Sequence, residues 1–317
     1  MNPDNNTPLD LVYLWVDGND PTWQAKRDAV IGKAVEGSAV NCKGRYANND
    51  ELKYSLRSAQ LYAPWLRRIF IVTDGQVPEW LDTSNPKIRI VDHSEILPTE
   101  SLPCFNSTLI EQFLYRIPDL SERFLYANDD MFFNRPVQPS DFYAPDGLPL
   151  MRFSYRRPFR KLLIKLRTEL RHKKLSHYNQ KVENSARLVE QRFGKYYSYK
   201  GHHNIDAYLK SNYRHIHETF KSEIDTMLTH HVRSDRDYQR HLYSYAALAE
   251  GMAHKRFVGR DTSFHLFIHR PDHYIKLDRS NPMLFCMNDS EYAADQDRRR
   301  EVEYLEKRFP EKSEFEL

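Results

Sequence analysis

Four short apolar runs in the first 130 residues each close on an aspartate, and this repetition constrains the fold more than any other feature. Leu9 to Val16 closes on Asp17-Gly18, and Arg68 to Thr73 on Asp74-Gly75. Lys87 to Val91 closes on Asp92, and Phe124 to Ala127 on Asn128-Asp129-Asp130. Runs of this length read as buried strands. Between the first two lies a helical pattern over residues 49–63, with Asn48 or Asn49 as its N-cap. Leu52, Leu56, Ala59 and Ala63 fall on one face of it, and Pro64 ends it. A second helix is expected over 107–117, stopped by Pro118. Alternating strands and helices predict an α/β fold with a mainly parallel sheet. Parallel strands bring all four aspartate ends to one edge. One such aspartate is usually a turn residue; four along one edge read as the rim of a polar, metal-compatible cleft.

The last of the four ends carries two adjacent carboxylates, Asp129 and Asp130. In an open α/β sheet, ligands bind beyond the carboxyl ends of the strands. Paired carboxylates there suit a hard divalent cation, Mg²⁺ or Mn²⁺, and such a cation commonly holds a phosphate-bearing substrate.

Beyond residue 150 the pattern becomes mainly helical. Helices are expected within 160–193 (interrupted) and over 206–209, 218–228, 235–251 and 291–309, with a strand over 263–269. The chain therefore divides into an α/β core over 1–150 and a helical part over 151–317 that completes the site. Net charge is only +3, yet residues 152–200 hold 15 Lys/Arg against 3 Asp/Glu. Within that segment Phe159, Leu162, Leu163, Leu166 and Leu170 keep helical spacing opposite a basic face. Such a helix can lie on an anionic membrane, guide an anionic polymer, or pack on the core. No nucleic-acid motif accompanies it, so nucleic acid is not an expected partner. Three scattered cysteines, Cys42, Cys104 and Cys286, show neither a disulfide framework nor a zinc spacing and favour a reducing compartment. The polar start lacks a signal-peptide core, and no run reaches the roughly 18 apolar residues of a membrane span. The expected location is cytoplasmic, with peripheral contact at the inner membrane face.

Taken in order, these pieces resemble the Stealth family of sugar-phosphate transferases. Its four signature regions have counterparts here. The first is Leu11 to Pro21 (LVYLWVDGNDP). The second combines Arg45 to Ser58 (RYANNDELKYSLRS) with Ala63 to Gln76 (APWLRRIFIVTDGQ). The third combines Phe105 to Glu111, Tyr115 to Pro118 and Phe124 to Phe133 (FLYANDDMFF). The fourth combines Leu284 to Asp289 (LFCMND) with Arg308 to Glu316. The large insertions of the family's animal members are absent, which points to a bacterial source. The resemblance implies a Rossmann-like, glycosyltransferase-A-type fold. It also implies transfer of sugar-1-phosphate from a nucleotide-sugar, such as a UDP-sugar, to a hydroxyl of a glycan or phosphoglycan acceptor. A phosphodiester forms and a nucleoside monophosphate leaves, in the synthesis of capsular or other surface polysaccharide.

The resemblance also carries residue roles. Asp130 is the expected metal ligand, and Asp129 a second ligand or the base for the acceptor hydroxyl. Asp289, in the Asn288-Asp289 pair, completes the metal site or caps a helix near Glu291. His203, in the turn Gly201-His202-His203, acts in proton transfer or steadies the phosphate. That turn is shorter than in the animal enzymes, so His202 and His203 are not ranked. Arg233 clamps the migrating phosphoryl group. Asp17 and Gly18 approach the nucleotide, and Asp50 and Arg57, two helical turns apart, share a face, with Arg57 toward the diphosphate. Asn106, Glu111 and Arg116 line the sugar side. Helix initiation by Asp50, and local ion pairs at Glu111 and Arg116, are the structural alternatives. His265, His269 and His273 recur every four residues, but they lie on a strand followed by Arg270-Pro271, so no shared zinc face is expected. Two other functions stay open: a glycosyltransferase that releases nucleoside diphosphate, and a non-catalytic glycan-binding protein.

Overall fold

The computed structural model describes residues 7–31, 46–156, 158–167, 172 and 174–317. Cys42, Arg45 and Leu170 lie outside the described residues.

The strands are β1 (Leu9–Leu14), β2 (Ile69–Thr73), β3 (Ile88–Asp92), β4 (Arg123–Asn128), β5 (Met131–Phe133), β6 (Leu150–Arg156), β7 (Tyr199–Gly201), β8 (Asp206–Leu209), β9 (His254–Phe257), β10 (Ser263–Phe267) and β11 (Leu284–Asn288). The helices are α1 (Pro21–Ile31), α2 (Glu51–Tyr62), α3 (His93–Ile96), α4 (Ser107–Ile110), α5 (Arg160–Lys165), α6 (His177–Phe193), α7 (Lys210–Thr219), α8 (Lys221–Asp225), α9 (His241–Ala249), α10 (Pro271–Ser280) and α11 (Asp295–Arg308).

The main sheet has the order β3-β2-β1-β4-β8. Its first four strands are parallel, as the alternating pattern predicts. Every residue of β1 is buried, which suits a central strand covered on both faces. Its side chains alternate between two cores. Val12 and Leu14 face one with Phe70, Phe124 and Tyr126, backed by residues of α6, α7 and α9. Leu11 and Tyr13 face the other with Ile71, Leu125 and residues of α2 and β5. The strand order reverses between β1 and β4, and such a topological switch point is where an open sheet leaves a crevice.

Two expectations for the later half are corrected. Residues 206–209 form β8, not a helix, and pair antiparallel with β4 from Tyr126 opposite Asp206 to Arg123 opposite Leu209. A four-residue segment takes its state from the partner available, here an open sheet edge. The later half is also mixed rather than mainly helical. It supplies most of two three-stranded sheets, β10-β11-β5 and β7-β6-β9. β6, β7 and β9 are interrupted by Arg, Lys, Ser or His, so they lack the apolar runs that mark β1 to β4. Helix ends shift too. Residues 107–110 form α4 but 111–116 tighten into a 3-10 helix, and α2 begins after Asp50 rather than at an asparagine cap. Among the described residues no helix is long and apolar enough to cross a membrane.

β5 links the sheets at the important point. It follows β4 directly after Asp129-Asp130, and β11 runs antiparallel to it with Cys286 opposite Met131. The Met287 amide donates to the Asp130 carbonyl at 2.9 Å. The carboxyl end of β11, Asn288-Asp289, is thereby delivered beside the carboxyl end of β4, across 158 residues of chain.

Candidate active site

At the switch point a cavity of about 240 Å³ opens between Trp15 and Val16 after β1 and Asn128, Asp129 and Asp130 after β4. Later segments supply His203, Arg233, Asn288 and Asp289, and α2 supplies Glu51. Asp129, Asp130, Asp289, His203 and Arg233 therefore meet in one cavity although they span 161 residues of sequence.

The floor is acidic. Asp129 and Asp130 are only partly buried, being open to the cavity. Glu51 and Glu301 are buried, and Asn49 bridges them, its Nδ2 donating to Glu51 Oε1 at 2.9 Å and Glu301 Oε2 at 3.3 Å. Burial, then the neighbouring Glu51 and Asp130 charges, lift the Asp129 carboxyl well above the usual range. Burial pushes Asp130 up to about 6 and Glu51 up to about 7. Glu301 is lifted by burial and by Glu51, Asp289 and Asp130. Carboxylates crowded away from water repel one another unless they gain protons or a cation. Asp130 Oδ1 is buried with no hydrogen-bond partner among the described residues. Its Oδ2 accepts from Asn288 Nδ2 at 3.2 Å and from the Cys286 thiol at 3.4 Å. These oxygen donors fit a hard divalent cation. Asp289 is already partly neutralised: Arg298 donates Nε to Oδ2 at 2.7 Å and Nη2 to Oδ1 at 3.2 Å. It does not cap α11, which begins after Ala294.

Two basic groups complete the cavity. Arg233 donates Nε and Nη2 to Ser107 Oγ at 3.2 and 3.0 Å. Its Nη1 is buried without a partner among the described residues. The Arg233 segment is tied down by Asn106, whose Nδ2 reaches the His230 carbonyl at 3.1 Å and Asp237 Oδ2 at 2.9 Å. His203 sits in a left-handed turn, φ +52°, with its ring 5.2 Å from that of His265. Burial, with His265 and Arg240 nearby, holds its imidazole well below the ordinary value, hence neutral.

One wall is aromatic. Trp23 lies 5.1 Å from Tyr46 and 5.3 Å from Phe105, ring centre to centre. Gly18 makes this possible, because a Cβ there would stand 2.0 Å from the Tyr46 carbonyl oxygen, to which its amide donates at 2.9 Å.

The other expected site residues lie off the cavity wall, each with its polar atoms engaged. Asp17 exchanges two 3.0 Å hydrogen bonds with Gln76 through its backbone. Asp50 precedes α2 at φ 61° and pairs with Lys53 at 3.4 Å. Arg57 forms a fork with Glu316 at 2.8 and 2.7 Å. Glu111 accepts from the Tyr126 hydroxyl at 2.9 Å. Arg116 is exposed and stacks 4.8 Å from Phe113. His202 is buried and spans Ser263 Oγ at 3.1 Å and Asp206 Oδ1 at 2.8 Å, fixing the turn that presents His203.

Glu51, Glu301 and the aromatic wall are not among the expected site residues, and His265 and Cys286 are weighed only for zinc spacing along the sequence, which misses their meeting in space. Glu301 carries a faint signal, since Asp297, Glu301 and Leu305 recur every four residues and are the buried positions of α11.

Residues 7–34 match Stealth protein conserved region 1, and residues 45–151 match conserved region 2. An exopolysaccharide phosphotransferase of Streptomyces coelicolor is 50% identical over 148 residues, which are 46% of this chain and 25% of that protein. The exopolysaccharide phosphotransferase CpsY of Mycobacterium leprae is 36% identical over 95% of this chain and 56% of its own length. CpsY of Mycobacterium tuberculosis gives 36%, 95% and 57%. The chain thus spans between a quarter and just over half of these relatives. Among solved structures, the galactosyltransferase LgtC in complex with donor and acceptor sugar analogs is 14% identical, with a TM-score of 0.47, over 94% of this chain and 95% of that one.

Proposed function

The chain belongs to the Stealth proteins, and on that premise we propose that it is a phosphotransferase moving sugar-1-phosphate from a nucleotide-sugar to a glycan hydroxyl in exopolysaccharide synthesis. The observation that carries this reading is the meeting of the Asp129–Asp130 floor, Arg233 and His203 in one cavity at the switch point. The names of the relatives point the same way.

In this reading residues 1–150 hold the nucleotide part and residues 151–317 complete the chemistry. The aromatic wall of Trp23, Tyr46 and Phe105 packs the flat rings of the donor. Asp130 and Asp129, with Asp289 adjoining, would hold Mg²⁺ or Mn²⁺, which would supply charge neutralisation at the diphosphate. Arg233 binds an oxygen of the phosphoryl group through its unused Nη1. The acceptor hydroxyl attacks the phosphorus that bears the sugar. A new O–P bond forms, the P–O bond to the nucleoside monophosphate breaks, and the hydroxyl proton passes to a base. A neutral His203 offers a lone pair for that proton.

α5 bears on where the reaction occurs. Phe159, Leu162, Leu163 and Leu166 are exposed next to Lys161, Lys165 and Arg167. Apolar anchors interleaved with cations support peripheral contact with an anionic membrane at its cytoplasmic face.

The test incubates purified protein with Mg²⁺ or Mn²⁺, a panel of UDP-sugars and short exopolysaccharide acceptors, and identifies the released nucleotide. UMP release that chelator and Asp130→Ala abolish is the expected result. UDP release overturns the phosphosugar reading in favour of glycosyl transfer. Neither nucleotide, with sugar binding retained in Asp130→Ala, points to a glycan-binding protein.

A further inference from the structure

Beside the acidic floor lies a second group of ligands with different chemistry. β10 and β11 run parallel with His265 in register with Cys286, so both side chains project from one face of that sheet. His203 approaches from the turn before β8. Its neighbour His202 is anchored to Ser263, the first residue of β10, which fixes the turn against His265. The ligand atoms of His203, His265 and Cys286 all lie within 4.8 Å of one another. Asp130 lies beside this cluster, its Oδ2 3.4 Å from Cys286 Sγ. Two of these residues also carry unsatisfied buried atoms among the described residues, His265 Nε2 and Asp130 Oδ1. Asn288 donates Nδ2 to Cys286 Sγ at 2.9 Å and to Asp130 Oδ2 at 3.2 Å, the kind of outer contact that orients metal ligands.

We propose that His203, His265 and Cys286 form a binding site for a zinc-class divalent cation, distinct from the hard-metal site of Asp129 and Asp130 that it adjoins. The donor set decides the class. A thiolate and two imidazoles select zinc or cobalt over magnesium. Three protein ligands of this kind leave the fourth tetrahedral position to water, and the thiolate with the neighbouring Asp130 carboxylate offsets the charge of the dication. Bonds of about 2.0–2.3 Å hold tetrahedral ligand atoms roughly 3.3–3.8 Å apart. The three-residue cluster therefore contracts by about an ångström on loading, within the reach of rotamer adjustment. Coordination replaces the Cys286 thiol proton, which leaves to solvent.

A functional consequence rests on the proposed transfer activity. The site takes up His203, so a bound zinc ion withdraws the proton acceptor while leaving the magnesium ligands in place. Zinc is then an inhibitor that excess magnesium does not relieve.

The deciding experiment is spectroscopic and independent of turnover. Chelator-stripped full-length protein is titrated with Co²⁺ and followed by absorbance. The expected result is a thiolate-to-cobalt charge-transfer band with tetrahedral d–d bands. One equivalent of Zn²⁺ abolishes them and excess Mg²⁺ leaves them. Cys286→Ser removes the thiolate band, and His265→Asn, which removes a direct ligand, weakens cobalt affinity by more than the roughly tenfold that loss of an outer contact costs. If Cys286→Ser does not fold, as judged by its metal-free melt, His265→Asn decides alone. No thiolate band, or a band unchanged in the folded variants, overturns the site. A band in a protein that shows no transfer activity upholds the site while the proposed function falls.

Discussion

Arg233 and Ser107 are bound through two guanidinium nitrogens and one hydroxyl, at 3.2 and 3.0 Å, and the third nitrogen of the fork is buried with no partner among the described residues. The hydroxyl fixes the guanidinium of a residue that lines the cavity. Lysine carries the same charge but lacks the planar fork that holds Ser107 and a phosphoryl oxygen in one fixed geometry. Arg233→Lys is expected to lower kcat by about 100-fold, the scale of losing one preorganised donor to a transition-state oxyanion. The melting temperature should stay near that of the wild type. Single-turnover rates with a nucleotide-sugar check this, and a rate within a few-fold of the wild type would remove Arg233 from the reaction.

Glu51 yields a pH prediction. Its folded value, about 7, lies above the ordinary glutamate value, because of burial first. The folded state therefore binds the proton more tightly than the unfolded state. The stability this brings is present at low pH and is lost as pH rises through about 7. Glutamine imitates the neutral acid and does not titrate. In chelator, Glu51→Gln should gain stability relative to wild type at about pH 7.5, by on the order of 1–3 kcal/mol, and the gain should shrink toward about pH 5. Comparing two proteins at two pH values cancels the opposite contribution of buried histidines such as His93 and His217, which burial lowers to about 4. A difference that does not vary with pH would place the Glu51 proton elsewhere.

Arg57 separates a structural from a substrate role. Its fork on Glu316, together with a 2.8 Å bond to the Phe309 carbonyl, ties α2 to the carboxyl-terminal segment. Both side chains are largely covered, 9% and 3% exposed, so removal of one leaves the other uncompensated. Arg57→Ala should cost about 2–4 kcal/mol, near the low end for a broken buried pair because the site lies close to the surface. The donor KM should not move. Urea unfolding alongside donor kinetics checks both. A raised KM with unchanged stability would instead restore Arg57 to the diphosphate.

Gly18 is the hinge of the aromatic wall. Alanine there would bring its Cβ within 2.0 Å of the Tyr46 carbonyl, so backbone rather than a flexible side chain must shift. Tyr46 packs on Trp23, and the displacement opens the wall. Gly18→Ala should raise the donor KM by about tenfold, roughly 1.4 kcal/mol of lost ring packing, with a smaller effect on kcat. Quenching of Trp23 fluorescence by the nucleotide reports the same loss directly.

The sequence by itself determined the four parallel strands and their aspartate ends. Both follow from local patterning: an apolar run long enough to be buried on two faces cannot be much else, and the residue after it must turn. It also determined which later residues, His203, Arg233 and Asp289, belong with Asp129 and Asp130, through ordered motifs rather than periodicity. Tertiary structure alone decided that residues 206–209 are a strand, because the open edge of β4 supplies partners that four residues cannot encode. It alone decided that Glu51 and Glu301 share one buried floor, that Arg57 serves Glu316, and that His265 meets Cys286. Each of these depends on the register of strands or helices far apart in the chain. Register is set by the packing of whole faces, so no local window of sequence contains it.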